Sequence, residues 1–304
     1  MLRNLRRPAI LLTFLVLAAV PLSLAGVPAP TAKSNDPHSW SLRWQPLRLV
    51  NGSAVLFQVA APAPLESLSG KWLEHDVFFF FDPQRHSWFG IAGISLETRP
   101  GKYVLALEGK SQARGTVSWQ RSILVGKGSY RRIVVSVPKK FTEPNPEQQQ
   151  EIKDDQSLKH DAFSRTDVQR EWAGRFLPPV NAAVSDVFGT TRTFNGEVQS
   201  IHQGLDYGVP QGTPVAALNR GKVLLARPLF FEGNCVVLDH GQGLLTIYMH
   251  LSQFEVKEGE QVARGQEIAL SGGTGRATGP HLHVAVRWQG VYLDPKTLLN
   301  LNLP

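Results

Sequence analysis

Four histidines and one aspartate fall within three short segments of this 304-residue chain: Ser200-Ile-His-Gln-Gly-Leu-Asp206, Tyr248-Met-His-Leu251 and Thr278-Gly-Pro-His-Leu-His283. In His281-Leu-His283 the imidazoles are two residues apart, so on a strand both point to the same side. One can bind a metal while the other faces the same cavity unliganded. His202 and Asp206 are four apart, but Gly204 and Gly208 argue against a helix, and an extended or looped segment can still turn both side chains one way. Neutral imidazole, carboxylate and second imidazole make a nitrogen and oxygen donor set that zinc accepts, and three protein ligands leave a fourth tetrahedral position open for water. Iron or cobalt would also suit these donors. Closed structural sites draw mainly on cysteine, and this chain has one. The helical zincin motif His-Glu-x-x-His is absent. A single His-x-His or His-x-x-x-Asp is more often accidental or structural; five such residues in one glycine-punctuated domain outweigh that reading. His240, in Leu238-Asp-His-Gly241, reads as a structural residue at a strand end.

The elements that must position these groups are strands. In residues 178–304 the runs Val215–Ala217, Gly221–Ala226, Cys235–Asp239, Leu244–Tyr248, Glu267–Ser271 and His283–Arg287 are separated by glycines, which predicts an antiparallel β-rich domain. Residues 40–140 predict a β-sandwich-like domain from Ala54–Ala60, Val77–Phe81, Tyr103–Leu107, Thr116–Leu124 and Arg132–Val137, with Asn51-Gly52, Asp82-Pro83 and Pro100-Gly101 as turns. The aromatic run Phe78 to Phe81 reads as core rather than as a carbohydrate platform, because four consecutive aromatics face both sides of a strand. The pairs His75 with Asp76 and Asp82 with His86 read as surface groups. Pro144-Asn-Pro146 then breaks the pattern. Glu147 to Glu171 is polar and helix-compatible, so residues 141–177 predict a polar helical linker with a solvated charged face. The fold class is therefore mainly β.

At the amino terminus Arg3, Arg6 and Arg7 precede an apolar run from Ile10 to Leu24 that ends in Ser23-Leu24-Ala25. This pattern predicts a signal peptide over residues 1–25, followed by a flexible segment over 26–39. The run is short for a membrane span and is broken by Pro21, so no stable membrane insertion is expected after cleavage. Three of the seven net positive charges are the leader arginines, leaving +4, too small and dispersed a bias for nucleic acid. Cys235 can form no internal disulfide and reads as a buried, inert thiol.

Residues 180 to 296 resemble the LytM or lysostaphin-type zinc endopeptidases. The resemblance rests on Asp186-Val-Phe-Gly189, Phe194-Asn-Gly196, His202-Gln-Gly-Leu-Asp206, Pro210-Gln-Gly-Thr-Pro-Val215, Leu238-Asp-His-Gly241, Tyr248-Met-His-Leu251, Gly272-Gly-Thr-Gly275 and Thr278-Gly-Pro-His-Leu-His283, in that order. The sandwich, with its Leu96-Glu-Thr-Arg-Pro-Gly101 turn, resembles the domain that often precedes such peptidases. The resemblance implies a β-rich groove with one zinc ion held by His202, Asp206 and His283, and His250 and His281 as the unliganded catalytic pair. It further implies an exported enzyme of the periplasm, cell envelope or extracellular space that cuts amide bonds in peptidoglycan stem peptides or cross-bridges. Two alternatives are a non-catalytic wall-binding protein that regulates separate amidases, and a latent enzyme whose amino-terminal module or linker blocks the groove. A regulatory partner is left open. Relatives often carry an acidic residue two places after the second histidine of His-x-His; Ala285 stands there, which predicts a ligand histidine without its carboxylate partner.

Overall fold

The computed structural model describes residues 39–164, 167–196 and 198–304. The expected signal peptide and all but the last residue of the segment 26–39 lie outside them. At the centre of the carboxy-terminal half is Leu282–Trp288, flanked by Gly204–Tyr207 on one side and Leu244–Phe254 on the other, both antiparallel. Gly233–Asp239, Gly221–Leu229 and Gln261–Val262 extend the sheet beyond Leu244–Phe254, and Val184–Asp186 closes the other edge. Alternation along Leu282–Trp288 divides the sheet into two faces. Leu282, Val284, Val286 and Trp288 enter the main core, whereas Ala285 enters a second apolar cluster with Leu225, Val237 and Ile247. Each strand predicted in this half lies within an observed one except Val215–Ala217, which runs one residue past the observed Pro214–Ala216.

The amino-terminal half is two facing sheets, one of four strands and one of five. Phe57, Trp72, Leu105 and Ile123 fill the space between them. The indole of Trp72 donates to the Gly93 carbonyl (3.1 Å), so its one polar atom is satisfied in the core. The run Val77–Phe81 is not one strand: His75–Phe78 and Phe80–Asp82 belong to different sheets, joined through Phe79. Phe79 and Phe80 pack against the core as expected, but Phe81 is 46 % exposed. Ser87–Gly93 went unpredicted because every residue in it is buried, which removes the alternation that marks a half-exposed strand.

Arg132–Val135 is a strand, but it does not finish the sandwich. It pairs in parallel with Thr191–Phe194, which in turn pairs with Val198–Ile201. The side-chain amide of Asn195 locks this junction by donating to the Val137 carbonyl and accepting from the Val137 N–H, both at 3.0 Å. A helix follows over Pro146–Phe163. Asn145 caps it in a reciprocal capping box with Gln148, and Pro146 fits the first turn, where no N–H bond is lost. The helix ends at Phe163 instead of running to Glu171, and the chain beyond it buries Trp172 and Phe176 in the main core.

The charged helix face is not wholly solvated either. Lys159 pairs with Glu232 at 2.5 Å and Asp155 accepts from the Phe230 N–H at 2.7 Å, while Leu158 and Phe163 cover the second apolar cluster. The sandwich is joined to the carboxy-terminal half by a continuous core and by main-chain bonds. Asp294 N–H donates to Gly52 O (2.7 Å), and Leu293 and Trp288 sit where a side chain at Gly93 would be. All described residues fall in one compact unit. Among them no helix is long and apolar enough to cross a membrane.

Candidate metal centre

Register places the first two groups. Asp206 and His283 are direct cross-strand partners, and such pairs share a face. Asp206 Oδ1 lies 2.7 Å from His283 Nδ1. His202 comes from the segment entering that strand, where its N–H donates to Thr190 O and its carbonyl accepts from Gly189 N–H, each at 2.8 Å. Its Nδ1 faces the Val187 carbonyl at 2.8 Å and must donate to it, which leaves the Nε2 lone pair 3.0 Å from both Asp206 Oδ1 and His283 Nδ1. All three residues are buried and their ligand atoms form one cluster.

Three lone-pair atoms this close in a buried site require a cation or protons among them. Ligands about 2.0 to 2.2 Å from a tetrahedral ion stand roughly 3.3 Å apart, so the cluster fits zinc after a small outward relaxation. Protons and a metal compete for the same atoms. Burial alone would raise the Asp206 pKa, but hydrogen bonds and charge from His202 and His283 hold it far below the usual carboxylate range.

The support around these ligands was not legible in the sequence. The Asp206 carboxylate accepts from Arg192, whose guanidinium also forks onto Asp186 Oδ2 at 3.0 Å (Nε) and 2.6 Å (Nη2). Asp186 Oδ1 accepts from Thr190 Oγ1 (3.0 Å), Val187 N–H (2.9 Å) and Arg131. Burial pushes the Asp186 carboxyl up, and the two arginines outweigh it and keep it ionised. Asp186 was visible within a motif, but nothing local marked Arg192. The concern over Ala285 resolves differently. Ala285 is opposite Gly204 and Ile247 in an apolar row, where a carboxylate would be buried among Leu225, Val237 and Ile247. In this chain the ordering groups are on the carboxylate side, through Arg192 and Asp186. Gly204 itself is required by the site, since a Cβ there would stand 2.6 Å from His283 Nε2.

His250 and His281 complete the cluster. His250 has a left-handed backbone (φ 62°), costly for a non-glycine residue, at an irregularity in its strand's pairing. This breaks the alternation and brings its ring within 4.8 Å of His281 and 6.1 Å of His283, centroid to centroid. His250 Nδ1 donates to Thr274 O and His281 Nδ1 to Gly279 O, both at 2.8 Å, so each imidazole keeps Nε2 as its free lone pair. Burial, with the neighbouring imidazoles, lowers the His250 pKa to about 3, so this ring is neutral.

Two further described histidines, His240 and His75, stand apart. His240 is fully buried between Arg220 O (2.7 Å) and Thr246 Oγ1 (2.8 Å), the structural role expected of it. His75 packs on Trp288. Cys235 is buried in the second apolar cluster and burial raises its thiol pKa, in keeping with an inert group.

Two cavities, of about 450 and 140 Å³, meet at this cluster. His281 and Asp206 line one, His202, His250 and His283 the other, and Arg192, Phe194 and Arg276 border both. A larger cavity of about 680 Å³ lies on the outer face of the five-stranded sheet, around Phe78, Glu108 and Gln120, and contains no imidazole.

A β-sheet groove floored by a buried His/Asp/His triad, with two more imidazoles beside it, is the arrangement of a metallopeptidase. Residues 200–295 match the profile of Peptidase family M23, and form an M23 peptidase domain. The chain is 45 % identical over 103 residues to Peptidoglycan DD-endopeptidase ShyA of Vibrio cholerae, a stretch that is 34 % of this chain and 23 % of that protein. It is 39 % identical over 118 residues to DD-carboxypeptidase/endopeptidase Mpg of Neisseria meningitidis, covering 39 % of this chain and 27 % of the relative. The matched stretch thus spans about a quarter of the length of these curated relatives. A crystal structure of a Pseudomonas aeruginosa protein, described as a candidate M23 peptidase, superposes with a TM-score of 0.63 at 28 % identity, covering 83 % of this chain and 95 % of that one. That likeness extends over the sandwich as well as the peptidase domain.

Proposed function

We propose that this chain is an exported, zinc-dependent endopeptidase that hydrolyses amide bonds in peptidoglycan stem peptides or cross-bridges. One observation carries the reading: His202 Nε2, Asp206 Oδ1 and His283 Nδ1 converge within 3.0 Å of one another, beside two imidazoles whose remaining lone pairs are free. His202, Asp206 and His283 would hold one zinc ion, which when bound supplies Lewis acidity toward an amide carbonyl and acidifies water.

The other steps belong to the chain's own residues. With Nδ1 fixed on backbone carbonyls, His250 and His281 present Nε2 to the groove, where one imidazole can accept the proton of an attacking water. Carried on that imidazole's Nε2, the same proton can hydrogen-bond the developing oxyanion and is then available to the leaving amine. Arg192 keeps the Asp206 carboxylate turned toward His202 and His283. Peptidoglycan as substrate draws support from the named activities of the curated relatives.

The test is incubation of the chain from Gly26 onward with purified peptidoglycan, with and without a chelator, with released fragments identified by mass spectrometry. Chelator-sensitive release of cleaved peptides, restored by zinc, is expected. Wall that stays intact with zinc-loaded protein would sink the peptidoglycan assignment.

A further inference from the structure

The groove contains one guanidinium with no polar partner among the described contacts. Arg131 and Arg192 are engaged by Asp186 and Asp206, and Lys159 by Glu232. Arg276 instead is held between two aromatic rings, its guanidinium carbon 4.6 Å from the centroids of both Phe194 and Phe231. Its backbone is fixed by a 2.9 Å bond from its N–H to Phe231 O. Phe194, from the strand beside Arg132–Val135, and Phe231, from the turn before Gly233–Asp239, belong to one apolar cluster. The side chain borders both cavities at the imidazole cluster.

A half-buried guanidinium without hydrogen-bond partners is unfavourable, and the stacking rings leave only its edge, where the N–H donors lie, free to bond. That edge matches a carboxylate in bidentate geometry, and the rings fix it in advance, so little side-chain entropy is lost on binding. The acid nearest in charge, Glu232, gives Oε1 to Lys159, and its buried Oε2 makes no hydrogen bond, to Arg276 or to any other group.

We propose that Arg276 is a substrate-recognition residue that binds a carboxylate carried by the peptide next to the scissile amide. The assignment rests on the endopeptidase reading for its substrate. It makes the enzyme selective for anionic peptides over their amidated forms. The carboxylate can be a terminal α-carboxylate or an acidic side chain, and separate probes distinguish the two.

The experiment measures equilibrium binding of uncleavable product peptides to the zinc-loaded full chain by calorimetry. Three probes are used: the free acid, the C-terminal amide and the side-chain amide. Loss of a charge-assisted bidentate contact should weaken binding of one of the amides about 10- to 100-fold. Arg276→Gln should bind the free acid and that amide alike, while Arg276→Lys, which keeps the charge without the planar fork, should retain part of the preference. Wild-type protein that shows no preference, or binds no probe, overturns the assignment. So does an Arg276→Gln variant that keeps the preference, or a Gln variant that weakens all three probes equally, which would mark Arg276 as only a brace between Phe194 and Phe231. If peptidoglycan is left uncut while the binding preference stands, the endopeptidase reading fails and the carboxylate site remains.

Discussion

Replacing Gly204 by alanine tests whether the packing of the sheet positions the ligand ring. A Cβ at Gly204 would stand 2.6 Å from His283 Nε2 and 2.7 Å from its Cε1, and would also press on the Val284 carbonyl. Ordinary contact begins at 3.4 Å, so the ring must retreat by roughly 0.8 Å, and the backbone carbonyl on the paired strand prevents the methyl from moving away. Nδ1 moves with the ring and away from Asp206 Oδ1 and His202 Nε2. A displacement of that size should lower zinc affinity about 10- to 100-fold, the usual effect of disturbing the groups that orient a ligand.

Overpacking should also lower the stability of the metal-free protein by about 1 to 3 kcal/mol. Zinc affinity is read by competition with a chromophoric chelator, and stability by thermal unfolding after chelation. Gly208→Ala is the control, since its Cβ would meet only Ser185 Cβ at an ordinary 3.8 Å. If Gly204→Ala binds zinc as tightly as the wild type and Gly208→Ala do, His283 is not held against the strand in the way described.

Arg192→Met removes the cation shared by Asp186 and Asp206, and zinc affinity should fall about 10- to 100-fold; Arg192→Lys should not restore it, because one ammonium cannot reproduce the fork on two carboxylates. His250→Ala and His281→Ala should each lower kcat about 10²- to 10⁴-fold while zinc binding by chelator competition stays near wild type, since neither is among the three converging ligands. His240 gives a pH signature. Burial lowers its pKa from 6.5 to about 4, so the unfolded chain binds more protons between those values and stability rises with pH across the window. As pH falls from 6.5 to 4 the wild type should lose about 3 kcal/mol that His240→Gln does not, a difference read from denaturant unfolding at each pH. Equal slopes for the two proteins would place the titration elsewhere.

The site was legible where its chemistry is local. His281 and His283 are two apart, where strand periodicity turns both to one side, and His202 and Asp206 are in one short segment that can turn both one way. What joins the pairs is sheet register, Asp206 opposite His283, and register depends on partners the sequence does not name. Arg192, which orders Asp206, and Arg276, which borders both cavities, come from a neighbouring sheet and from a loop, and no spacing marks either. The same limit explains Arg132–Val135, a plain strand pattern whose partner lies some sixty residues on. Ser87–Gly93 was hidden for the opposite reason: buried throughout, it has no polar face to reveal its period.

The helix Pro146–Phe163 shows how the two halves constrain each other. It covers the sheet face that carries the imidazoles, with Leu158 and Phe163 over the row that includes Ala285 and Ile247, and Arg287 set over the Phe163 ring at 4.8 Å. Without that cover the row would be an exposed apolar patch beside a polar groove. A carboxylate at position 285 would be desolvated beneath it, so the alanine and the helix belong together. The stretch read from sequence as a linker is therefore part of the peptidase core, as Trp172 and Phe176 beyond it also require. A fragment that begins at Pro178 lacks all of this cover and leaves Trp288 and Leu293 without the sandwich against which they pack. It should unfold at lower temperature than the chain from Gly26. Loss of activity in such a fragment would report on its stability, and the role of the amino-terminal half must be tested by point substitutions in the intact protein.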